Sequence, residues 1–360
     1  MTRLARFVAV VGIFVMVAVA CGESNETGAT PTAGGPVVSV GLVYDIGGRG
    51  DLSFNDSAAR GLDKAKQDFN LEVKELEPNQ GGTNRAELLD LLASQNTQLI
   101  IGVGFLFAET VCAAGNKYPE TNFGDIDGFI NKDTPNCPQA HDLTASDNVA
   151  SLLFAEEQGS FLVGAAAALK SETGHVGFIG GVDIDLIHKF EAGFKAGAEA
   201  VNPKIEIDVK YISQPPDFTG FNDPAKGKEI AASMYESGAD VVYAAAGGSG
   251  LGMFQAAKEF SDSSGSKVWG IGVDSDQYLS VPDELKPFVL TSMLKRVDVA
   301  VYDTIKSQVD GNFEGGYHTF DLSKDGVGYA TSGGFIDDIV PQLEEFKKKI
   351  IDGEITVPTS

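Results

Sequence analysis

The chain has 360 residues, of which 43% are hydrophobic and 22% are charged, and its formal net charge is −24 at pH 7. This length and apolar content exceed what one small domain needs and predict two lobes, each with its own core. Because so acidic a surface repels phosphate backbones, the charge argues against nucleic-acid binding.

The N-terminus carries the pattern of an export signal. Two arginines precede an apolar run over residues 7–20, which has the length of a signal-peptide core and falls short of the ~20 residues of a transmembrane helix. Small residues end this run just before Cys21, as in a bacterial lipoprotein signal in which the cysteine carries the lipid; an ordinary signal peptide with an incidental cysteine is the alternative. We therefore predict a signal peptide over residues 1–20 and a flexible, lipidated tether over residues 21–36, a segment rich in Gly, Thr and Pro.

Beyond the tether, short apolar runs alternate with amphipathic helical patterns. Such alternation predicts βαβ units and parallel sheets, which is an α/β fold. The predicted strands cover residues 37–44, 71–76, 99–103, 121–127, 143–146, 176–179, 205–211, 241–245, 268–273 and 288–292. The predicted helices after the first loop cover residues 84–94, 151–170, 186–201, 227–237, 252–260, 298–307 and 337–351. Residues 316–322 and 326–329 are predicted to form an additional hairpin.

The first predicted strand leads to Asp45, and a glycine-rich turn then opens into the segment Asp51-Leu52-Ser53-Phe54-Asn55. The carboxyl ends of parallel strands face the ligand crevice of such sheets, so we expect Asp45, Phe54 and Asn55 at a site. The glycines match neither the dinucleotide-binding nor the Walker pattern. The alternative interpretation is a simple turn, with a helix cap and with Phe54 in the core.

Polar residues also follow several later strands. One aspartate at the end of a strand is usually a helix cap or a turn residue, but several such residues from both halves of the chain predict a shared cleft. These residues are Asp127, Asp147, Asn148, the segment 247–250, Asp274, Asp276 and Lys295.

Cys112 and Cys137 are the cysteines that follow Cys21. In an exported protein such a pair is predicted to form a disulfide, here within the first lobe. Cys137 and His141 alone do not make a metal site, and the chain beyond the leader lacks the Gly-x-Ser-x-Gly nucleophile motif. We therefore predict no metal, no cofactor and no hydrolase activity.

Taken in order, these motifs closely resemble the basic membrane protein family, the substrate-binding lipoproteins of ABC importers, whose characterised members include purine nucleoside receptors. The segments that carry the resemblance are Asp45 with 51–55, 180–181, 190–194, 246–250, 271–277 and 291–295. The resemblance implies a type I periplasmic-binding-protein fold, in which two Rossmann-like lobes of parallel sheet are joined by three crossovers and close on a ligand.

The crossovers are expected near residues 147–148, 274–277 and 311–316. They would divide the chain into an N-terminal lobe of residues 37–147 plus 275–312 and a C-terminal lobe of residues 148–274 plus 313–360.

The resemblance also implies the residues of the site. Phe54 and Phe190 would sandwich a purine. Asn55 and Asp127 would bind the edge of the base. The ribose would be bound by Asp274, Lys295 and the backbone around Gly248, with Asp45 nearby. The implied ligand-binding residues are Asp45, Phe54, Asn55, Asp127, Phe190, Gly248, Asp274 and Lys295. Phe194 is expected in the core, and Phe105 and Phe107 either in the core or in the cleft wall.

The leading functional prediction is a monomeric, non-enzymatic capture protein that passes a purine nucleoside to an ABC permease. It would be anchored through lipid at Cys21 on the outer side of a bacterial cell membrane. One alternative keeps the fold but binds a sugar, an autoinducer or another small polar ligand, or passes a signal to a partner. Another alternative is a secreted nucleoside-processing enzyme that uses Asp45 and Asp51 as a carboxylate pair.

Overall fold

A computed structural model describes residues 36–79, 81–137 and 141–360. These residues belong to one compact unit. The predicted signal peptide and the lipidation site at Cys21 lie outside the described residues. In the described ranges, no helix is both long enough and apolar enough to cross a membrane.

The described chain forms two sheets of six strands each. In chain order the strands are β1 (Val38–Val43), β2 (Leu71–Leu76), β3 (Leu99–Val103), β4 (Asn122–Ile126), β5 (Val149–Phe154), β6 (His175–Val182), β7 (Glu206–Ser213), β8 (Val241–Ala245), β9 (Trp269–Asp274), β10 (Val289–Lys295), β11 (Gly316–Phe320) and β12 (Val327–Tyr329). The strand order is β11-β5-β4-β3-β1-β2 in the first sheet and β12-β10-β9-β8-β6-β7 in the second. All neighbours are parallel except β10 and β12, which confirms the predicted α/β fold.

Helices cover both sheets. They are α1 (Phe54–Asp68), α2 (Arg85–Ala93), α3 (Ala108–Lys117), α4 (Glu156–Lys170), α5 (Asp185–Val201), α6 (Pro224–Ser237), α7 (Gly250–Ser264), α8 (Gln277–Ser280), α9 (Val297–Val309) and α10 (Val340–Ile351). We call the first sheet with α1–α3 and α9 the first lobe, and the second sheet with α4–α8 and α10 the second lobe. Strands β3 and β8, near the middle of their sheets, are apolar and fully buried, as expected when helices cover both faces of a parallel sheet.

Helices α4 and α5 of the second lobe lie in backbone contact. A β-carbon at Gly193 on α5 would overlap the carbonyl oxygen of Glu157 on α4, and one at Gly164 on α4 would overlap that of Phe194 on α5. Only glycine permits this approach, which fixes the start of α4 against the middle of α5.

One predicted strand, over residues 143–146, is absent, and the strand lies at Val149–Phe154 instead. The sequence of β5 is a continuous apolar run, and periodicity alone cannot distinguish such a run from a buried helix. The predicted helix 151–170 therefore overlaps the second part of this strand, whereas the observed helix begins at Glu156. The predicted hairpin is also wrong, because β11 pairs with β5 in the first sheet and β12 with β10 in the second.

The strand pairing also differs from the predicted division into lobes. β5 and β11 belong to the first sheet and β10 to the second, whereas the predicted boundaries assigned each of these strands to the other lobe. The reason is that the polar segments near residues 147 and 275 are turns beside strands rather than passages between lobes. We propose that the chain crosses between the lobes after β5, after β10 and after β11.

Candidate ligand-binding site

A cavity lies where the carboxyl ends of strands from both sheets meet, and it encloses about 570 Å³ of empty space, counting the solvent at its mouth. The lining residues are Asp45, Ile46, Asp51, Phe54, Asn55, Gly104, Phe105, Asp127, Leu186, Ile187, Phe190, Phe221, Ala245, Gly247, Val273, Asp274 and Lys295. They include all the predicted ligand-binding residues except Gly248.

Asp45 follows β1 and is held by an arginine from α2. Its Oδ1 accepts a hydrogen bond from Nη2 of Arg85 at 3.0 Å and from the amide of Ile46 at 2.8 Å. Burial raises the pKa of Asp45, while the charge of Arg85 opposes that rise. The amide of Asp45 donates to Oδ1 of Asn55 at 2.9 Å, so the end of β1 and the start of α1 are tied together.

Asp51 caps the first turn of α1. Its carboxylate accepts hydrogen bonds from the amides of Ser53, Asn55 and Asp56 at 2.8–3.1 Å. It also accepts from the side chain of Asn55 at 3.1 Å. Burial outweighs these bonds and raises the pKa of Asp51 to about 6. The carboxylates of Asp45 and Asp51 thus have different partners, and Asp51 orients the segment that carries Phe54.

Two phenylalanine side chains reach the cavity from opposite lobes. Phe54 is the first residue of α1, and Phe190, on α5, is 3% exposed. Phe194 packs in the core instead, against Phe178 and Tyr243, as expected.

Of the two phenylalanines that follow β3, Phe105 lies in the cavity wall and Phe107 lies in the core. Phe105 lines the cavity, and its ring meets that of Phe221 from the second lobe edge-on, with ring centres 6.5 Å apart. Phe107 is fully buried in the core of the first lobe, and the guanidinium of Arg85 lies over its ring.

Lys295, the last residue of β10, is the central cation of the site. Its Nζ lies 2.5 Å from Oδ2 of Asp127 and 3.4 Å from Oε1 of Glu156, and its side chain is only 2% exposed. The ammonium also lies 5.0–5.6 Å from the ring centres of three phenylalanines, namely Phe54, Phe154 and Phe190. Burial alone would lower the pKa of Lys295, but attraction to the surrounding carboxylates outweighs burial and raises it.

Asp127 follows β4 with a left-handed backbone, φ +67°. Burial raises its pKa to about 7, against the attraction of Lys295. Its Oδ1 is buried and has no hydrogen-bond partner among the described residues, and neither has either carboxylate oxygen of Asp125 on β4. Burial and the nearby charge of Asp127 raise the pKa of Asp125 well above its usual value. The end of β4 therefore presents unused acceptor capacity inside the protein.

Asp274, the last residue of β9, joins the second lobe to the first. Its Oδ2 accepts from the hydroxyl of Ser53 at 2.6 Å. Burial raises its pKa, and Lys295 opposes the rise. Two adjacent hydrogen bonds, from Ser275 to the carbonyl of Ser53 at 2.7 Å and from Gln277 to the carbonyl of Leu52 at 3.1 Å, complete this link between the lobes.

Gly248 does not line the cavity, although the resemblance implies that it binds the ligand. The neighbouring Gly247 lines the cavity instead. Gly247 has φ +54°, a conformation that glycine adopts without strain. A β-carbon at Gly248 would lie 3.6 Å from Cβ of Asp51, so this turn of the second lobe approaches the cap of α1 closely.

Three charged residues around the site were missed by sequence reasoning: Arg85, Asp125 and Glu156. Arg85 and Glu156 each stand at the start of a helix, where a charged residue is usually solvated, and no local pattern shows that they are buried. Asp125 lies in a strand two residues before Asp127, so the alternation of the strand offered the only signal for it.

The segment that follows the site residue Asp127 is tied back to α3. A disulfide joins Cys112 to Cys137, with Cα atoms 5.4 Å apart. Residues 138–140, which follow Cys137, lie outside the described residues.

Comparison with known proteins assigns the family. Residues 37–360 match the Bmp family of PnrA-like ABC transporter substrate-binding proteins. The chain is 37% identical over 337 residues to the CD4+ T-cell-stimulating antigen of Listeria monocytogenes, which covers 89% of this chain and 88% of that relative. It is 36% identical over 330 residues to the ABC transporter nucleoside-binding protein BmpA of Lactococcus lactis, and this alignment covers 88% of each chain.

A solved structure agrees with this assignment. The solute-binding protein of an ABC transporter system from Aeropyrum pernix is 31% identical, with a TM-score of 0.75 over 90% of this chain and 94% of that one. This similarity confirms the predicted fold of a type I solute-binding protein. The partners of the chain are therefore a small ligand and a permease, and the chain acts as a binding protein rather than as an enzyme. It belongs to the Bmp family of PnrA-like ABC transporter substrate-binding proteins.

Proposed function

We propose that the chain captures a purine nucleoside in this cavity and delivers it to its permease. The observation that carries the proposal is the pair of phenylalanines, Phe54 from the first lobe and Phe190 from the second, that line one cavity. An aromatic ring on each side of the cavity suits a flat ligand, and stacking of one base on one ring contributes about 1–3 kcal/mol. The relative from Lactococcus lactis is named a nucleoside-binding protein, which supports the same ligand class.

The edge of the base would be bound by carboxyl oxygens. Asp127 is the first candidate, because its Oδ1 has no partner among the described residues and can accept from a ring N–H or an exocyclic amine. Asn55 also lines the cavity, but its amide already binds Asp45 and Asp51. We therefore propose that Asn55 contributes chiefly by fixing the loop, and that Asp127 selects the base.

The sugar would be bound by the polar groups at the ends of β9 and β10. Asp274 can accept from ribose hydroxyls, and Lys295 has three N–H groups, one of which remains for a ligand oxygen once its two carboxylate partners are counted. Asp45 and the backbone near Gly247 would complete the sugar site.

The charge of the cavity favours a ligand without phosphate. Arg85 neutralises Asp45, but Asp51, Asp127 and Asp274 also line the cavity, where Lys295 faces them. A phosphate group would add negative charge beside these carboxyl groups, and like charges in a buried site cost several kcal/mol. We therefore expect nucleosides to bind and nucleotides to be rejected.

The proposal includes the place where the protein works. The apolar run and Cys21 at the N-terminus have the features of a lipoprotein signal, and a relative from Pyrococcus abyssi, 34% identical over 316 residues, is named a lipoprotein. A lipid at Cys21 would hold the binding protein on the outer side of the cell membrane, as a monomer next to its permease.

A thermal-shift screen of the full-length chain in detergent tests the ligand class. At about 100 times its dissociation constant, a ligand that binds only the folded state adds about 2.7 kcal/mol to the free energy of unfolding. Guanosine, inosine or adenosine should raise the melting temperature without being converted to product. A rise with sugars alone would contradict the nucleoside proposal while leaving the family assignment intact.

A further inference from the structure

We propose that Glu156 is a positioning residue of this cavity: it is the permanent counter-ion of Lys295, and it thereby frees Asp127 to bind the ligand. The inference rests on the proposed nucleoside function. Glu156 does not line the cavity, so its effect on the ligand would be indirect and would depend on Lys295.

Glu156 is buried between two cationic side chains. It is 1% exposed and is the first residue of α4, where the helix dipole favours a negative charge. Its Oε1 lies 3.4 Å from Nζ of Lys295, and its Oε2 accepts from Nζ of Lys189 on α5 at 3.3 Å. A buried carboxylate between two ammonium groups has the partners that a buried charge requires.

Glu156 and Lys295 belong to the same lobe, whereas Asp127 does not. Helix α4 packs directly on β10, since a β-carbon at Gly159 would lie 2.6 Å from the terminal methyl of Met293. Glu156 and Lys295 therefore keep their relation when the lobes move apart. The bond between Lys295 and Asp127 crosses the cleft and must be broken or shared when the cleft opens or a base binds Asp127.

An exchange of partners at Asp127 would be costly without a second counter-ion. Lys295 is almost fully buried. If Asp127 were its only counter-ion, the loss of Asp127 would leave an unpaired charge away from water. Glu156 prevents this state, because it remains beside the ammonium while Asp127 turns to the ligand. Glu156 also pairs with Lys189 on α5, the residue before Phe190. The carboxylate of Glu156 therefore links Lys295 to the helix that carries one of the stacking rings.

The charges around Asp127 predict how it responds to loss of Glu156. The groups that face Asp127 are Lys295 on β10, Glu156 on α4, Asp274 on β9 and Asp125 on its own strand. Repulsion from Glu156 raises the pKa of Asp127, and attraction to Lys295 lowers it. Replacing Glu156 by glutamine should therefore lower the pKa of Asp127 and bind it more tightly to Lys295, which makes it less available to a ligand.

The first test needs no ligand. The carboxyl carbon of Asp127 is titrated by NMR in the full-length chain, comparing the wild type with E156Q. The control is E157Q, at the next residue of the same helical turn, which is partly exposed. We expect E156Q to move the midpoint of Asp127 to lower pH and E157Q to leave it unchanged. If E156Q does not fold, E156D takes its place, since withdrawing the carboxylate by one methylene group should still lower that midpoint. An unchanged midpoint in the folded variant would overturn the proposal.

The second test is a double-mutant cycle on guanosine affinity. We expect E156Q to weaken binding about tenfold in the wild-type background and to have no further effect beside K295M, because Glu156 acts through Lys295. Equal losses in both backgrounds would overturn the proposal. If the wild type binds guanosine but E156Q binds it equally well, the inference fails and the nucleoside function stands. If the wild type binds no purine nucleoside, the proposed function fails, and the Asp127 midpoint still decides whether Glu156 controls that carboxyl group.

Discussion

Replacing Phe54 by alanine should weaken nucleoside binding without unfolding the protein. Phe54 lines the cavity at the first residue of α1, and its ring centre lies 5.1 Å from Nζ of Lys295. Loss of one stacked ring removes about 1–3 kcal/mol of binding free energy. The dissociation constant should therefore rise roughly 5-fold to 150-fold. Isothermal titration of the full-length chain with guanosine, inosine and adenosine measures this change directly.

A matched control comes from the same lobe. Phe129 is 60% exposed and stacks on Tyr317, with ring centres 5.3 Å apart, and it does not line the cavity. Phe129→Ala removes the same number of atoms and should leave the dissociation constant unchanged. Equal affinities of the wild type, Phe54→Ala and Phe129→Ala, with all three folded, would refute the assignment of Phe54 to a stacking role.

Three further predictions concern charge and the disulfide. Lys295→Met should weaken nucleoside binding roughly 10-fold to 150-fold, the loss expected for one charge-assisted hydrogen bond, and an unchanged titration would remove Lys295 from the site. Because burial raises the pKa of Asp51 to about 6 and that of Asp127 to about 7, the folded state holds extra protons below these values. The free energy of unfolding should consequently fall by about 1–2 kcal/mol as the pH rises from 6 to 8, measured by urea titration, and Asp127→Asn should flatten this slope; a rise with pH would contradict the assigned pKa shifts. The disulfide closes a loop with a sequence separation of 25, so replacing Cys112 and Cys137 by serine should lower the free energy of unfolding by roughly 3 kcal/mol, and equal urea midpoints would show that the bond does not constrain the unfolded chain.

The strand-end residues lie at one cavity, as expected, because their positions follow from a simple rule. Asp45, Asp127, Asp274 and Lys295 each end or follow a strand, and the carboxyl ends of parallel strands meet at one crevice. Phe54 follows the same logic, since Asp51 caps the helix that the phenylalanine begins. These assignments need only the order of strands, loops and helices.

Tertiary relations account for what the sequence did not predict. The run at Val149–Phe154 has no periodicity that separates strand from buried helix, and sheet membership of Gly316–Phe320 depends on a partner more than 150 residues away in the chain. Glu156 resembles a solvated residue at a helix start until α4 is packed on β10. Contacts between residues far apart in the sequence determine the sheet membership and burial of these residues. A local sequence pattern does not show such contacts.

The central claim is that this family member binds a purine nucleoside between its two lobes. Calorimetric titration of the full-length chain with guanosine, inosine and adenosine, followed by chromatography of the recovered ligand, tests it most directly. We predict one nucleoside bound per chain, recovered unchanged, with no heat from guanosine monophosphate under the same conditions. Binding of a sugar but of no nucleoside, or recovery of a cleaved nucleoside, would contradict the claim.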